Sequence, residues 1–209
     1  MAITYPLTFP THTGVFSVNL MARNVVGVTT SPFTFSQQKF EYQGKRWEAD
    51  IVLPAMKRED AEQWITFFMK LYGQVGTFLL GDPNAATPRG SAASAAGTPV
   101  VNGASQTGDE LAIDGLPASA TGYLLAGDYI QLGSGASSQL YKVLDDVDSN
   151  ASGEATLQIW PDLRSSPADG ATVVVSGAKG LFQLSTPTTN WNIDNAGFYS
   201  MAFGAVETL

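Results

Sequence analysis

Residues 57–83 read KREDAEQWITFFMKLYGQVGTFLLGDP, and the periodicity of this stretch decides how the rest of the chain must pack. Ala61, Trp64, Ile65, Phe68, Leu71 and Tyr72 recur at three- and four-residue steps, which places them on one side of an α-helix. Glu62, Gln63, Thr66 and Lys70 fall elsewhere. Gly73 follows the last periodic residue, where a left-handed closing residue is favoured, and Lys70 lies near the negative end of the helix dipole. At the other end Pro54 limits backward extension, and Glu59 and Asp60 suit a first turn, although no Ser, Thr, Asp or Asn precedes Lys57 as a cap. Burying one face cannot by itself offset the entropy of ordering such a helix. No other segment has comparable helical periodicity, so the partner of this face is expected to be a β-sheet.

Segments on either side supply the strands. GVFSVNL (14–20) alternates with Phe16, Val18 and Leu20 on one side, and residues 24–30 are β-branched and strand-like. PFTFSQQKFEY (32–42) and RWEADIVLP (46–54) are expected to pair as a hairpin turning at Gln43-Gly44. In the second of these Trp47, Ala49, Ile51 and Leu53 face one way and Glu48 and Asp50 the other. QVGTFLL (74–80) reads as a short apolar strand after the helix.

The composition changes after Pro83. Residues 84–109 are small and polar, with no large hydrophobe between Leu80 and Leu111, and read as an extended connector. Beyond it, LAIDGLP, GYLLAGDYIQLG, QLYKVLDDV, ATLQIWPDLR and ATVVVSG are short strands separated by turns, the pattern of a small antiparallel barrel or sandwich. Residues 181–209 return to longer alternating strands, with Tyr199, Met201, Phe203 and Ala205 opposite Phe198, Ser200 and Ala202. Charge divides in the same way. Residues 84–178 hold ten acids and three bases, and the remainder nine acids and eight bases. A mainly β chain with one α-helix is expected, in two parts: residues 1–83 with 179–209 as a base domain, and 84–178 as an inserted acidic β-barrel whose linker spans 84–110.

With 209 residues, 21 Gly, 11 Pro and no Cys, the composition suits many turns and excludes disulfides, thiolate metal sites and a cysteine nucleophile. The net charge of −8 argues against a nucleic-acid grip. No apolar run spans a membrane and no signal peptide is visible, so a chain made in the cytoplasm and not inserted in a membrane is expected.

Catalytic signatures are missing as well. His12 is the sole histidine, so a triad or imidazole metal site would have to be built around it. There is no G-x-S-x-G, P-loop or G-x-G-x-x-G pattern. Asp146, Asp148 and Asn150 alternate as calcium ligands would, but the sixth and twelfth positions from Asp146 are Ala151 and Leu157, where an EF-hand needs Gly and Glu. Asp128, Asp162 and Asp169 sit beside Gly or Pro at turn positions. Lys45-Arg46 and Lys57-Arg58 read as solvated surface. No cofactor, metal or enzymatic activity is expected. Trp160, Tyr129 and Tyr141, and also Trp191, are the aromatic side chains on which a saccharide could stack, although aromatics in β-domains more often fill a core or an interface.

The order RWEADIVLPAMKREDAEQWITFFMKLYGQVGTFLLGDP, then TPRG, AGDYIQL, LYKVL, WPDLRSSPADGATV and the closing WNIDNAGFYSMAFGAVE resembles the distal tail proteins of long-tailed (siphovirus-type) bacteriophages. The resemblance covers most of the chain and identifies a lineage rather than a catalytic residue. It implies a tail-tube-like β-sandwich or split-barrel base with an inserted OB-like or galectin-like barrel. It further implies a structural virion protein in a homo-oligomeric ring, a hexamer, at the distal end of the tail. The ring would have the tail tube protein above and the tip or baseplate hub below, the tape measure protein close by, and DNA passing through without specific contacts. On this reading the hairpin from Phe33 to Leu53 contributes to the ring and its lumen through Gln37, Lys39, Glu41 and Glu48. The alternative is a carbohydrate- or receptor-binding minor tail protein.

Overall fold

The computed structural model describes residues 3–10, 17–94 and 97–209. In chain order its elements are β1 (Ser17–Thr30), β2 (Gln37–Met56), α1 (Arg58–Leu71), β3 (Thr77–Leu80), β4 (Val100–Val101), β5 (Glu110–Asp114), β6 (Tyr129–Leu132), β7 (Gln139–Val143), β8 (Ala155–Trp160), β9 (Val173–Val174), β10 (Gly180–Leu184), β11 (Asn192–Ile193) and β12 (Tyr199–Glu207). The described residues are mainly β with one α-helix, as the sequence predicts. Two antiparallel sheets form, one in the order β1-β2-β12-β10-β3 with β11 on β12, the other in the order β4-β5-β8-β7-β6-β9.

Helix α1 covers one face of the first sheet. Ala61, Trp64, Ile65, Phe68 and Leu71 are buried as their spacing requires, against Ala49, Ile51, Leu53, Phe78, Phe182 and Met201. Tyr72 departs from the expectation. It is itself the left-handed closing residue (φ 48), ahead of Gly73 (φ 67), and this turn directs its ring into solvent. Phe67, which the single-face reading omitted, is buried because Phe9 from the N-terminal segment packs over the helix, with ring centroids 5.6 Å from Phe67 and 5.4 Å from Trp64. Phe67 lies next to Leu71 around the helix and so widens the single buried face.

The expected turn at Gln43-Gly44 does not form. β2 runs unbroken from Gln37 to Met56 and pairs with β1, and the reversal lies instead at Ser31–Ser36, where Ser31 N–H donates to Ser36 O (2.9 Å) and Phe35 N–H to Ser31 O (2.9 Å). Gln43 and Gly44 mark a bulge. Asn24 pairs with Lys45 and Val26 with Glu41, so Tyr42, Gln43 and Gly44 oppose the single residue Val25. Glycine suits the site because a Cβ on Gly44 would lie 2.8 Å from Val25 Cγ2. Turn chemistry was present, but strand pairing on both sides turned it into a bulge.

The second sheet curls until it is nearly closed. β4 and β9, at opposite ends of the strand order, meet through a Val100–Thr172 bridge, and Val101 N–H donates to Ala171 O (2.9 Å) while Val173 N–H donates to Pro99 O (2.9 Å). Leu111, Ile113, Leu124, Ile130, Tyr141, Val143, Leu157 and Ile159 fill this barrel. The stretch expected to be a bare connector therefore contributes to it. Val101 is buried in the barrel core, and Asp128 pins the connector by accepting from the Arg89 amide (2.9 Å) as well as the Leu125 amide (2.9 Å). The chain leaves the first sheet at Leu80 and re-enters at Gly180, which lies directly opposite Leu80 across the β3–β10 pair.

Candidate functional site

Beyond Glu48, β2 loses β12 as a neighbour and continues with β1 alone. The result is a two-stranded ribbon, with residues 24–30 on one strand and 37–45 on the other, that projects past the helix-covered core. An isolated two-stranded ribbon is marginal in water, and this one is also apolar. Val25, Val26, Val28, Phe33, Phe35, Phe40 and Tyr42 are all exposed, Phe33 by 92% and Phe35 by 79%.

Local chemistry holds these side chains outward. At the tip, Ser31 Oγ accepts from the Phe33 and Thr34 amides (both 3.4 Å), and Thr34 Oγ1 and Ser36 Oγ share a hydrogen bond of 2.9 Å. Phe35 adopts a left-handed backbone (φ 57), an uncommon conformation for a bulky residue. Along the ribbon Phe40 and Tyr42 contact edge to face, with ring centroids 4.8 Å apart. Tyr42 also covers Gly27, where a Cβ would lie 3.3 Å from its ring.

The predicted interface residues separate into two groups. Gln37, Lys39 and Glu41 are exposed and share one ribbon face with Thr30, Val28 and Val26, their cross-strand partners. Glu48 does not belong with them. It lies on the sheet side of the bulge and is engaged by Arg46 (2.6 Å) and Arg23 (3.0 Å); the Arg46 hydrogen bond, with that of Arg23, holds its carboxyl below the usual range.

Of the predicted saccharide platforms, Tyr129 and Tyr141 are buried and Trp160 is half-buried. Tyr141 is wholly buried, donates to Gln139 Oε1 (2.7 Å), and has its phenol pushed up to about 12 by burial. Tyr129 is buried beneath Lys142, whose ammonium stands 4.4 Å from the ring centroid. Trp160 packs edge-on against Trp47 (4.5 Å between centroids) and donates to Asn24 Oδ1 (2.9 Å). These rings serve packing, and no open face remains on Tyr129 or Tyr141 for a sugar. Trp191 is exposed, but beside Ile193 and Phe198 on the first sheet rather than in the barrel.

The acidic loop is also committed to structure. Asp146 and Asp148 accept from the Ala126 (2.8 Å) and Gly122 (2.6 Å) amides, and Asn150 Oδ1 accepts from those of Ser152 and Glu154. Asp169 accepts from the Gly103 amide (2.8 Å). Among the described residues no three His, Cys, Asp or Glu side chains are grouped as metal ligands, and no helix is long and apolar enough to cross a membrane. His12 lies outside the described residues.

Two contacts at the ribbon root escaped sequence reasoning. Lys45, read as solvated, is largely covered and pairs with both Asp162 (2.9 Å) and Glu41 (2.9 Å), the Asp162 hydrogen bond foremost in raising its pKa. Glu207 accepts from the Trp47 amide (2.9 Å) and from Arg164 Nη2 (2.6 Å), linking β12, β2 and the loop after β8. No local spacing could reveal pairs 117 and 43 residues apart. The apolar ribbon did leave a signal: VV-x-V and FTF-x₄-F-x-Y are hydrophobic on both faces of a two-sided strand.

No protein-family model matches this chain, and no curated protein matches it.

Proposed function

We propose that this chain is a structural subunit of a ring at the distal end of a bacteriophage tail, joining the tail tube to the tip. The observation that carries the proposal is the ribbon. Seven hydrophobic side chains stand exposed on a two-stranded projection, an arrangement that marks a surface for another protein to cover. A ring supplies that cover through head-to-tail contacts, in which the projecting element of one subunit packs on a different face of the next. The exposed Gln37, Lys39 and Glu41 fit the polar part of that contact. The resemblance of residues 46–83 and 191–207 to distal tail proteins supports the tail assignment, with hexameric closure as its corollary.

The acidic barrel would lie on the outside of the ring, its carboxylates opposing contact with polyanionic surfaces. Burial of Tyr129 and Tyr141 counts against the carbohydrate-binding alternative. Cryo-electron microscopy of intact virions tests the proposal. A closed ring at the junction of tube and tip, with the ribbon against the neighbouring subunit and residues 84–178 outside, is expected. Finding the chain only at peripheral tips, or with the ribbon free of every neighbour, would refute it.

A further inference from the structure

We propose that the barrel braces the ribbon: residues 160–162 hold both ribbon strands at their root and reach across the bulge, so that the barrel sets the angle at which the ribbon leaves the sheet. Asn24 and Lys45 are directly opposed on the two strands, and the bulge begins immediately beyond them. Trp160 Nε1–H donates to Asn24 Oδ1 (2.9 Å), and Lys45 Nζ donates to Asp162 Oδ1 (2.9 Å). One three-residue segment of the barrel thus grips each strand at the same level.

The grip extends past the bend. The Lys45 ammonium that meets Asp162 also lies 2.9 Å from Glu41 Oε1, and Glu41 is the partner of Val26, the first pair beyond the bulge. An unbroken series of charges, Asp162–Lys45–Glu41, therefore runs from barrel to root to distal ribbon. Bulges are where paired strands bend and twist, so a tie across one restricts that motion.

A brace needs a fixed end, and the barrel has one. Trp47 Nε1–H donates to Leu140 O (3.0 Å), Leu181 N–H to Ser138 O (3.0 Å), Lys179 N–H to Gln131 Oε1 (2.9 Å), and Arg164 pairs with Glu207. These contacts lie along the side of the barrel facing the first sheet and hold it independently of the ribbon. The functional consequence rests on the ring reading. A ribbon held at its docking angle gives up less conformational freedom when the neighbouring subunit binds.

The test uses the full chain in its unassembled form. Lys45→Met with Trp160→Phe keeps the aliphatic stem and an aromatic ring while removing both ties. Amide hydrogen exchange across residues 25–42 is expected to quicken roughly three- to tenfold, with α1 and β12 unchanged. Because the chain has no cysteine, spin labels at Thr30→Cys and Ser152→Cys report the distance from ribbon to barrel, and its distribution is expected to broaden in the variant. Lys39→Met, on the ribbon but outside the brace, should alter neither readout. Asn24→Ala, at an exposed position, serves should the double variant fold poorly. Unchanged exchange and distances would overturn the brace, as would equal acceleration throughout the protein, which marks a general loss of stability. These measurements are made on the free subunit, so the brace can fail while the ring stands, and the reverse.

Discussion

Glu207 accepts hydrogen bonds from the Trp47 amide and the Arg164 guanidinium, yet burial outweighs both and holds its carboxyl above the usual range. Glu48, near the middle of β2, is shifted down by Arg46 and Arg23. The two glutamates therefore act oppositely on stability. A raised folded-state pKa means the folded chain binds the proton more tightly, so the Glu207 contribution is complete below its ordinary value of 4.5 and is lost as pH rises through the folded value. The Glu48 contribution is present above that ordinary value and lost as pH falls through its depressed one. Urea unfolding across this window should show the wild-type advantage over Glu207→Gln shrinking with rising pH, and that over Glu48→Gln growing. Tyr141 acts at the alkaline end. With its phenol pushed up to about 12, the buried ring contributes stability that is present below 10 and lost between 10 and 12, a loss that Tyr141→Phe should lack. Asp128 is buried and accepts from the Arg89 and Leu125 amides. Asp128→Ala leaves those donors unmatched and should lower stability by about 2–3 kcal/mol in chemical denaturation.

At the scale of elements, α1 and the ribbon depend on burial in opposite ways. Trp64 is buried between the sheet, Phe9 and Phe68, so Trp64→Ala should destabilise the chain by about 3–5 kcal/mol. Phe33 and Phe35 are exposed, so replacing both with Ser should change the unfolding free energy of the free subunit by less than about 0.5 kcal/mol. The same pair of substitutions should abolish incorporation into tails, scored by the presence of the chain in purified virions. Wild-type incorporation by the double variant would show that the ribbon tip is dispensable for assembly.

At the scale of the whole molecule, the described residues form two sheets whose interiors are not independent. Tyr129, Leu140 and Trp160 of the barrel belong to the cluster that also contains Trp47 and α1. The Lys45–Asp162 and Arg164–Glu207 pairs join the same surfaces. Calorimetric unfolding is therefore expected as a single cooperative transition. Two resolved transitions would show that the shared contacts are too weak to couple the sheets.

Periodicity was enough to locate α1, its buried face from Ala61 to Leu71, the inward alternation of Trp47, Ala49, Ile51 and Leu53, and the barrel strands β5 to β9, whereas β4 lay in the stretch read as a connector. These features depend on neighbours within a few residues, where the repeat of a helix or strand is written directly in the chain. The Gln43-Gly44 bulge, the burial of Phe67 beneath Phe9, the burial of Tyr129 and Tyr141, the packing of Trp160 on Trp47, and the partners of Lys45 and Glu207 were decided only by tertiary structure. Each depends on residues distant in sequence. Local chemistry is satisfied equally by a turn or a bulge, by a free aromatic or a packed one, and by a solvated lysine or a bridging one. Only the meeting of β2 with β1 and of the barrel with the first sheet selects between them.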